Sequence, residues 1–71
     1  MNSEKLKEFL REKKIDPEDM ATATGMDLST WYRKLQRNGE TFTVKQMNDI
    51  IRYTKMSKPE AAEIFFNEKL A

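Results

Sequence analysis

The chain has 71 residues, of which 38% are hydrophobic and 35% are charged, a composition that suits one domain with a small core. It contains neither cysteine nor histidine, so disulfides, thiolate or imidazole catalysis and nearly every kind of zinc site are excluded. We expect no metal, no cofactor and no small-molecule substrate. No apolar run approaches the roughly 20 residues of a membrane span, and the N-terminus lacks a signal-peptide core, so we expect a cytoplasmic protein that does not bind membranes.

Positive charge is concentrated in the middle of the sequence, although the net charge of the whole chain is only +1. Residues 1–27 carry five lysines and arginines against seven acidic residues, a net charge of −2. Residues 28–55 carry six against two, a net charge of +4, and residues 56–71 carry two against three, a net charge of −1. A surface that binds nucleic-acid phosphates needs such a local excess of positive charge.

The apolar residues recur at helical spacing along the chain, and no stretch alternates as a strand would. This pattern predicts a single all-α domain over residues 1–71, with helices at about residues 3–13, 17–24, 28–36, 44–54 and 58–68. Gln46 and Glu60 each stand three positions after a predicted cap, which is the spacing of a capping box. The predicted N-cap residues are Asp16, Asp27, Thr43 and Ser57.

The second and third predicted helices are joined by a very short connection. Helix 2 is short, Gly25 stands where a left-handed C-cap belongs, and Asp27 starts the next helix almost at once. Two helices joined by a short turn that contains glycine form the pattern of the helix-turn-helix motif. A helical bundle that merely turns at this point fits the same spacing and remains an alternative.

Predicted helix 3 has one apolar and one polar face when its residues are placed at 100° intervals. Leu28, Trp31 and Leu35 fall on one side and form the predicted buried stripe. The other side offers arginine and glutamine, which can hydrogen-bond guanine and adenine bidentately. Any solvated helix could show a similar face. The polar face consists of Ser29, Arg33, Gln36 and Arg37, with Thr30 and Tyr32 at its flanks.

A series of short sequence marks follows in order between Leu10 and Phe66. They are Met20-Ala21, Gly25-Met26, Ser29-Thr30 with Arg33, an Asn38-Gly39 turn, a helix 4 that ends near Thr54, and Ser57. In order and spacing, this stretch resembles the Cro/repressor family of phage and bacterial transcription regulators, especially the short members from phages of Gram-positive hosts. The resemblance implies a compact five-helix, lambda-repressor-like domain with helix 3 in the major groove and a homodimer on double-stranded DNA. The protein would then be a sequence-specific transcriptional regulator, a phage-type repressor acting in a bacterial cell, and not an enzyme.

The resemblance and the helix 3 face together indicate which side chains contact DNA. Two positions depart from the family pattern. Pro17 has no side-chain amide where the family often has a phosphate-binding glutamine, and Leu28 replaces a common polar residue. Leu28 would either join the core or contact a thymine methyl group. Base contacts are expected from Leu28, Ser29, Tyr32, Arg33 and Gln36. Phosphate contacts are expected from Lys34, Arg37, Asn38, Thr43 and Lys45. The resemblance also implies a phosphate contact at the start of helix 2.

The last predicted helix carries two apolar strips. Ala61, Ile64 and Phe65 are expected to close the core. A second strip is a candidate dimer surface, although Phe66 could instead pack against helix 1. This second strip consists of Ala62, Phe66 and Leu70.

Two other classes of function fit parts of the sequence. The low net charge, Pro17 and Leu28 favour a protein–protein interaction module that keeps this fold but has lost DNA binding. Enzymatic activity is the weakest alternative, because carboxylates, lysines and tyrosines are scattered over solvent-facing helix positions. No glycine-rich phosphate loop and no metal-ligand spacing is present in the sequence.

Overall fold

The computed structural model describes residues 1–36 and 42–66, and every regular element in these two ranges is an α-helix. The all-α prediction with five helices is confirmed. Positions 67 and 68, assigned to the last helix from the sequence, lie outside the described residues. The helices are α1 (Ser3–Glu12), α2 (Pro17–Thr24), α3 (Leu28–Gln36), α4 (Val44–Thr54) and α5 (Lys58–Phe66).

All five helices contribute side chains to one buried core cluster. α2 packs against α3 and α4, and α1 packs against α5. The largest fully buried side chains come from α1 to α4, one from each helix, and α5 adds its own apolar stripe. The Asn2 N–H donates to the Ile64 carbonyl over 2.6 Å, so the start of α1 is fixed to α5. The four fully buried side chains are Leu6, Met20, Trp31 and Ile50.

Two helices begin with the predicted capping boxes. The Thr43 hydroxyl accepts from the Gln46 N–H at 3.0 Å, while the Gln46 side chain accepts from the Thr43 N–H at 3.0 Å. Ser57 and Glu60 form the same reciprocal pair, at 3.2 and 3.0 Å. Hydrogen bonding to the Ser57 backbone and side chain lowers the pKa of the Glu60 carboxyl from its usual value. Both capping boxes are thereby confirmed.

The predicted cap at Asp16 is realised by the backbone alone. Asp16 is extended, with φ −77° and ψ 148°, and its carbonyl accepts from the Met20 N–H at 3.2 Å, as expected of an N-cap. Its carboxylate makes no capping hydrogen bond. A capping carboxylate would accept a hydrogen bond from the Asp19 N–H. That N–H donates to the Asp16 carbonyl at 3.1 Å instead. The prediction of Asp16 as the N-cap of α2 is therefore confirmed, although the cap has no side-chain hydrogen bond.

Three of the helices are followed by a residue in the left-handed backbone conformation. Gly25 has φ 70°, as predicted for the C-cap of α2, and the following Met26 N–H reaches back to the Ala21 carbonyl at 2.8 Å. Lys14, after α1, has φ 58°, and Lys55, after α4, has φ 56°. Lysine rarely adopts this conformation because its Cβ crowds the backbone, so its residue type gave no signal of these two helix ends.

Candidate nucleic-acid interface

The helix-turn-helix consists of α2, the turn formed by Gly25, Met26 and Asp27, and α3. The Met26 side chain packs against the core cluster, which fixes the turn. The Asp27 carbonyl accepts the first hydrogen bond of α3, from the Trp31 N–H at 3.0 Å. Trp31 and Leu35 are buried, as predicted, and Trp31 also contacts Phe42 with ring centroids 5.4 Å apart. The turn before α3 and Phe42 after it therefore both hold the buried side of α3 in place. The polar side of α3 faces away from the core.

The structure exposes four of the five side chains predicted to contact bases. Ser29, Arg33 and Gln36 are exposed, and Tyr32 keeps 47% of its surface accessible. Within the two described ranges, Arg33 forms no ion pair with an acidic side chain. Its guanidinium donors are therefore available to an external acceptor, and arginine is the side chain best suited to bidentate hydrogen bonding with guanine.

Leu28 does not complete the predicted buried stripe. It is half-buried and lies outside the core cluster, whereas Trp31 and Leu35 belong to that cluster. Leu28 is the first residue of α3, and the stripe of a helix can be covered only where a neighbouring element reaches that turn. The prediction that Leu28 is buried with Trp31 is therefore wrong, and its remaining predicted role is an apolar contact outside the core.

The residues predicted to bind phosphate have different surroundings. Lys34 donates to the Gln46 side chain at 3.2 Å and lies 5.8 Å from the centre of the Phe42 ring, so it connects α3 with the start of α4. Thr43 is exposed and serves as the N-cap of α4. The Lys45 side chain is 85% exposed and lies 3.4 Å from the Asp49 carboxylate. Arg37 and Asn38 lie outside the described residues.

The start of a helix favours an anion, which could be a bound phosphate or an acidic side chain of the protein. At the start of α2 the anions are acidic side chains. Pro17 occupies the first position of α2, so one backbone N–H is missing there. Glu18 and Asp19 follow in the first turn, and both are exposed. Their carboxylates repel phosphate, which disfavours a phosphate contact at this end of α2.

Cations of α1 and of the turn after it border a groove with α3, and no role was predicted for them. Lys7, Arg11 and Lys14 border the same groove as Tyr32 and Gln36. The spacing of four between Lys7 and Arg11 places them on one helix face, which was a usable signal. The net charge of residues 1–27 is −2, so counting charge by segment did not reveal this cationic helix face.

The candidate dimer surface on α5 is partly described. Phe66 is 63% exposed, whereas Ala62 is half-buried, and Leu70 lies outside the described residues. Phe66 and Ala62 line a shallow groove of about 510 Å³ together with Ile51 and Met56. This apolar surface is separate from the polar face of α3.

Other kinds of site find no support in the part of the chain that the structure describes. No cluster of acidic side chains in residues 1–36 and 42–66 has the arrangement of a metal site. The helices in these ranges are all too short or too polar to cross a membrane.

Comparison with protein families identifies a match that covers most of the chain. Residues 5–63 of the 71 match the Cro/C1-type HTH DNA-binding domain, and the match includes the whole helix-turn-helix. Comparisons with curated proteins and with solved structures gave no match. The resemblance inferred from the sequence is confirmed, and the chain belongs to the family of Cro/C1-type helix-turn-helix DNA-binding domains.

Proposed function

We propose that this DNA-binding domain is a sequence-specific repressor of the phage type that inserts α3 into the major groove of DNA. The observation that supports this best is the exposed face of α3. It combines Arg33, which has no ion pair with a described residue, with Tyr32 and Gln36, immediately after the turn of the helix-turn-helix. By occupying an operator, such a protein would block access of RNA polymerase.

The base contacts are divided among the residues of α3 by their chemistry. Arg33 pairs with guanine and Gln36 with adenine, since each can form two hydrogen bonds to one base edge. Ser29 and Tyr32 provide hydroxyl groups for a base edge or a phosphate. Leu28, half-buried at the first turn of α3, contacts a thymine methyl group.

The phosphate contacts come from the residues that follow α3 and from the start of α4. The Lys45 side chain is 85% exposed, and Thr43 lies two residues before it at the helix N-cap. Lys34 holds the capping box of α4 through Gln46, so it orients these groups as well as adding charge. Arg37 and Asn38 complete the set of proposed phosphate contacts.

The repressor binds as a homodimer on two half-sites about 34 Å apart. The proposed contact between protomers is the second apolar strip of α5, which consists of Ala62, Phe66 and Leu70. Its support is the 63% exposure of the Phe66 side chain, because a large apolar side chain on a small domain is stabilised when a partner covers it.

Selection of binding sites from a random duplex library, with sequencing of the retained DNA, tests this function. We expect an enriched site with two inverted halves about one helical turn apart. An enriched single half-site would reject the dimer and keep the repressor. Failure to enrich any sequence at low salt would reject sequence-specific binding.

A protein–protein interaction module is the second candidate function. Two features favour it, namely the exposed carboxylates of Glu18 and Asp19 at the start of α2 and Pro17 before them. Salt titration separates the two functions, because binding to DNA phosphates weakens steeply as counterions are added. An affinity for duplex DNA that barely changes with salt would favour the interaction module.

A further inference from the structure

A groove of about 510 Å³ is lined by α1, the turn that joins α1 to α2, and one edge of α3. Its apolar lining comes from the core-facing side chains Leu10, Ile15, Trp31 and Leu35. This volume lies in the range of roughly 300–1,000 Å³ that is typical of pockets for small organic ligands. The groove is therefore large enough to take the apolar body of such a ligand.

The charged residues of the groove are mostly cationic. Lys7, Arg11 and Lys14 carry three positive charges against the single carboxylate of Asp16, a net charge of 3 − 1 = +2. Lys7 is paired with Glu4 at 3.5 Å. In the described ranges, neither Arg11 nor Lys14 has an ion-pair partner. The groove thus favours a ligand that carries negative charge.

Trp31 forms part of the inner wall of the groove. Its N–H is buried and has no hydrogen-bond acceptor among the described residues, and its side chain is fully buried while forming part of the groove lining. Buried polar groups nearly always have a partner.

We propose that this groove binds a small amphipathic anion. An aromatic or branched hydrocarbon body packs against Leu10, Ile15 and Leu35, and a carboxylate or sulfonate lies at Arg11 and Lys14. The groove also includes Tyr32 and Gln36, two of the proposed base contacts. Occupancy of the groove and DNA binding therefore influence each other reciprocally, a consequence that rests on the proposed function, whereas the ligand site itself does not.

The first test uses 1-anilinonaphthalene-8-sulfonate, an aromatic anion, with the full chain and without DNA. Trp31 is the chain's one tryptophan, so energy transfer from its indole reports that the probe is bound to the chain, and the variants described next locate it. We expect saturable binding of one probe per chain. N-phenyl-1-naphthylamine, which is the same molecule without the sulfonate, is the matched neutral probe and should bind more weakly.

Two charge-removing variants and one control locate the site. Arg11→Gln and Lys14→Gln should each weaken binding of the sulfonate about two- to fivefold, the range expected for loss of one exposed charge, and leave the neutral probe unchanged. Arg52→Gln removes an exposed cation of α4 away from the groove and should change neither. Circular dichroism confirms that all three variants are folded.

Either of two results would overturn the proposal. One is the absence of saturable sulfonate binding with energy transfer from Trp31. The other is sulfonate binding that is equal in Arg11→Gln, Lys14→Gln and the natural chain, because the probe would then occupy another surface, such as the one beside Phe66. Since no DNA is present, failure here leaves the proposed repressor function untouched, and failure to select a DNA site leaves this result standing.

Discussion

Arg33 and Lys45 are both exposed cations, but they differ in their neighbours and in the DNA atoms that we expect them to contact. Arg33 stands on the polar face of α3 without an ion pair to a described residue, whereas Lys45 lies 3.4 Å from the Asp49 carboxylate at the first turn of α4. A base contact and a phosphate contact have different experimental signatures. The two residues therefore form a natural pair for substitution.

Arg33→Ala should cost roughly 1–3 kcal/mol of binding free energy on the selected operator and much less on random DNA. The reason is that a bidentate contact to one guanine is lost while the other phosphate contacts remain. Fluorescence anisotropy with both duplexes measures the difference. Equal affinities of the variant and the natural chain on both duplexes would show that Arg33 contacts no base.

Lys45→Ala should weaken binding to every duplex by a similar factor and reduce the slope of log K against log salt by about one. A phosphate contact is the same at each sequence, so specificity should not change. Titration at several salt concentrations measures the slope. A loss confined to the selected operator would contradict the phosphate role.

Lys55→Gly should raise the free energy of unfolding by about 0.5–1 kcal/mol. Lys55 has φ 56°, and glycine adopts this left-handed conformation without the crowding of a Cβ, although its greater freedom in the unfolded chain offsets part of the gain. Urea unfolding gives the difference. Arg52→Gly, one turn earlier inside α4, should instead destabilise the fold by about 1 kcal/mol. If both substitutions destabilise the fold, the idea that the Lys55 backbone is strained would be rejected.

At the level of helices, the start of α5 couples stability to pH. The reciprocal pair of Ser57 and Glu60 lowers the pKa of the carboxyl in the folded chain. Its stabilising effect is therefore fully present above the pKa of the unfolded state, about 4.3, and is lost as the pH falls through the lower pKa of the folded state.

Glu60→Gln should accordingly be slightly less stable than the natural chain at about pH 7, and the difference should shrink towards about pH 3. The effect is expected to be small because the carboxylate lies near solvent. Thermal unfolding of both chains across this range measures it. A difference that stays constant with pH would show that the charge of Glu60 plays no part in the cap.

Helix starts that depend on residues three positions apart could be predicted from the sequence. The pairs Thr43 with Gln46 and Ser57 with Glu60 are closed by neighbouring residues alone, and Gly25 is the usual residue for a left-handed cap. Asp16 shows the limit of such reasoning, because its local spacing is suitable but the Asp19 N–H has another acceptor. Leu28 shows another limit, because burial depends on whether a neighbouring element covers the first turn of α3.

On the scale of the whole molecule, the polar face of α3 could be predicted from its period, whereas the groove beside it could not. The face requires only the spacing of Ser29, Arg33 and Gln36 along one helix. The groove requires α1 and α3 to border the same space, and no local pattern states which helices come together in the fold. For the same reason, the charge count placed the positive charge in the middle of the chain and overlooked Arg11 and Lys14.

The proposed homodimer also concerns the whole molecule, and Phe66→Ser should weaken self-association about tenfold or more. A buried phenylalanine side chain contributes roughly 1.5–3 kcal/mol, and a symmetric dimer would bury two of them. Sedimentation equilibrium measures the change. Tyr53→Ser removes another exposed aromatic side chain, 48% accessible on α4, and should have little effect. Unchanged association in the Phe66 variant would move the dimer contact elsewhere.

The hydrogen bond between Asn2 and Ile64 has a consequence for the order in which the chain folds. It joins residues 62 positions apart, whereas the contact between Trp31 and Phe42 spans 11 positions. Closing the longer loop costs about 1.5 kcal/mol more chain entropy, so we expect the pairing of α1 with α5 to form after α2, α3 and α4 have assembled. Substitutions at that pairing should then speed unfolding and leave the folding rate nearly unchanged. The lifetime of the folded domain would be set at the pairing of its first and last helices, away from the surface that we expect to meet DNA.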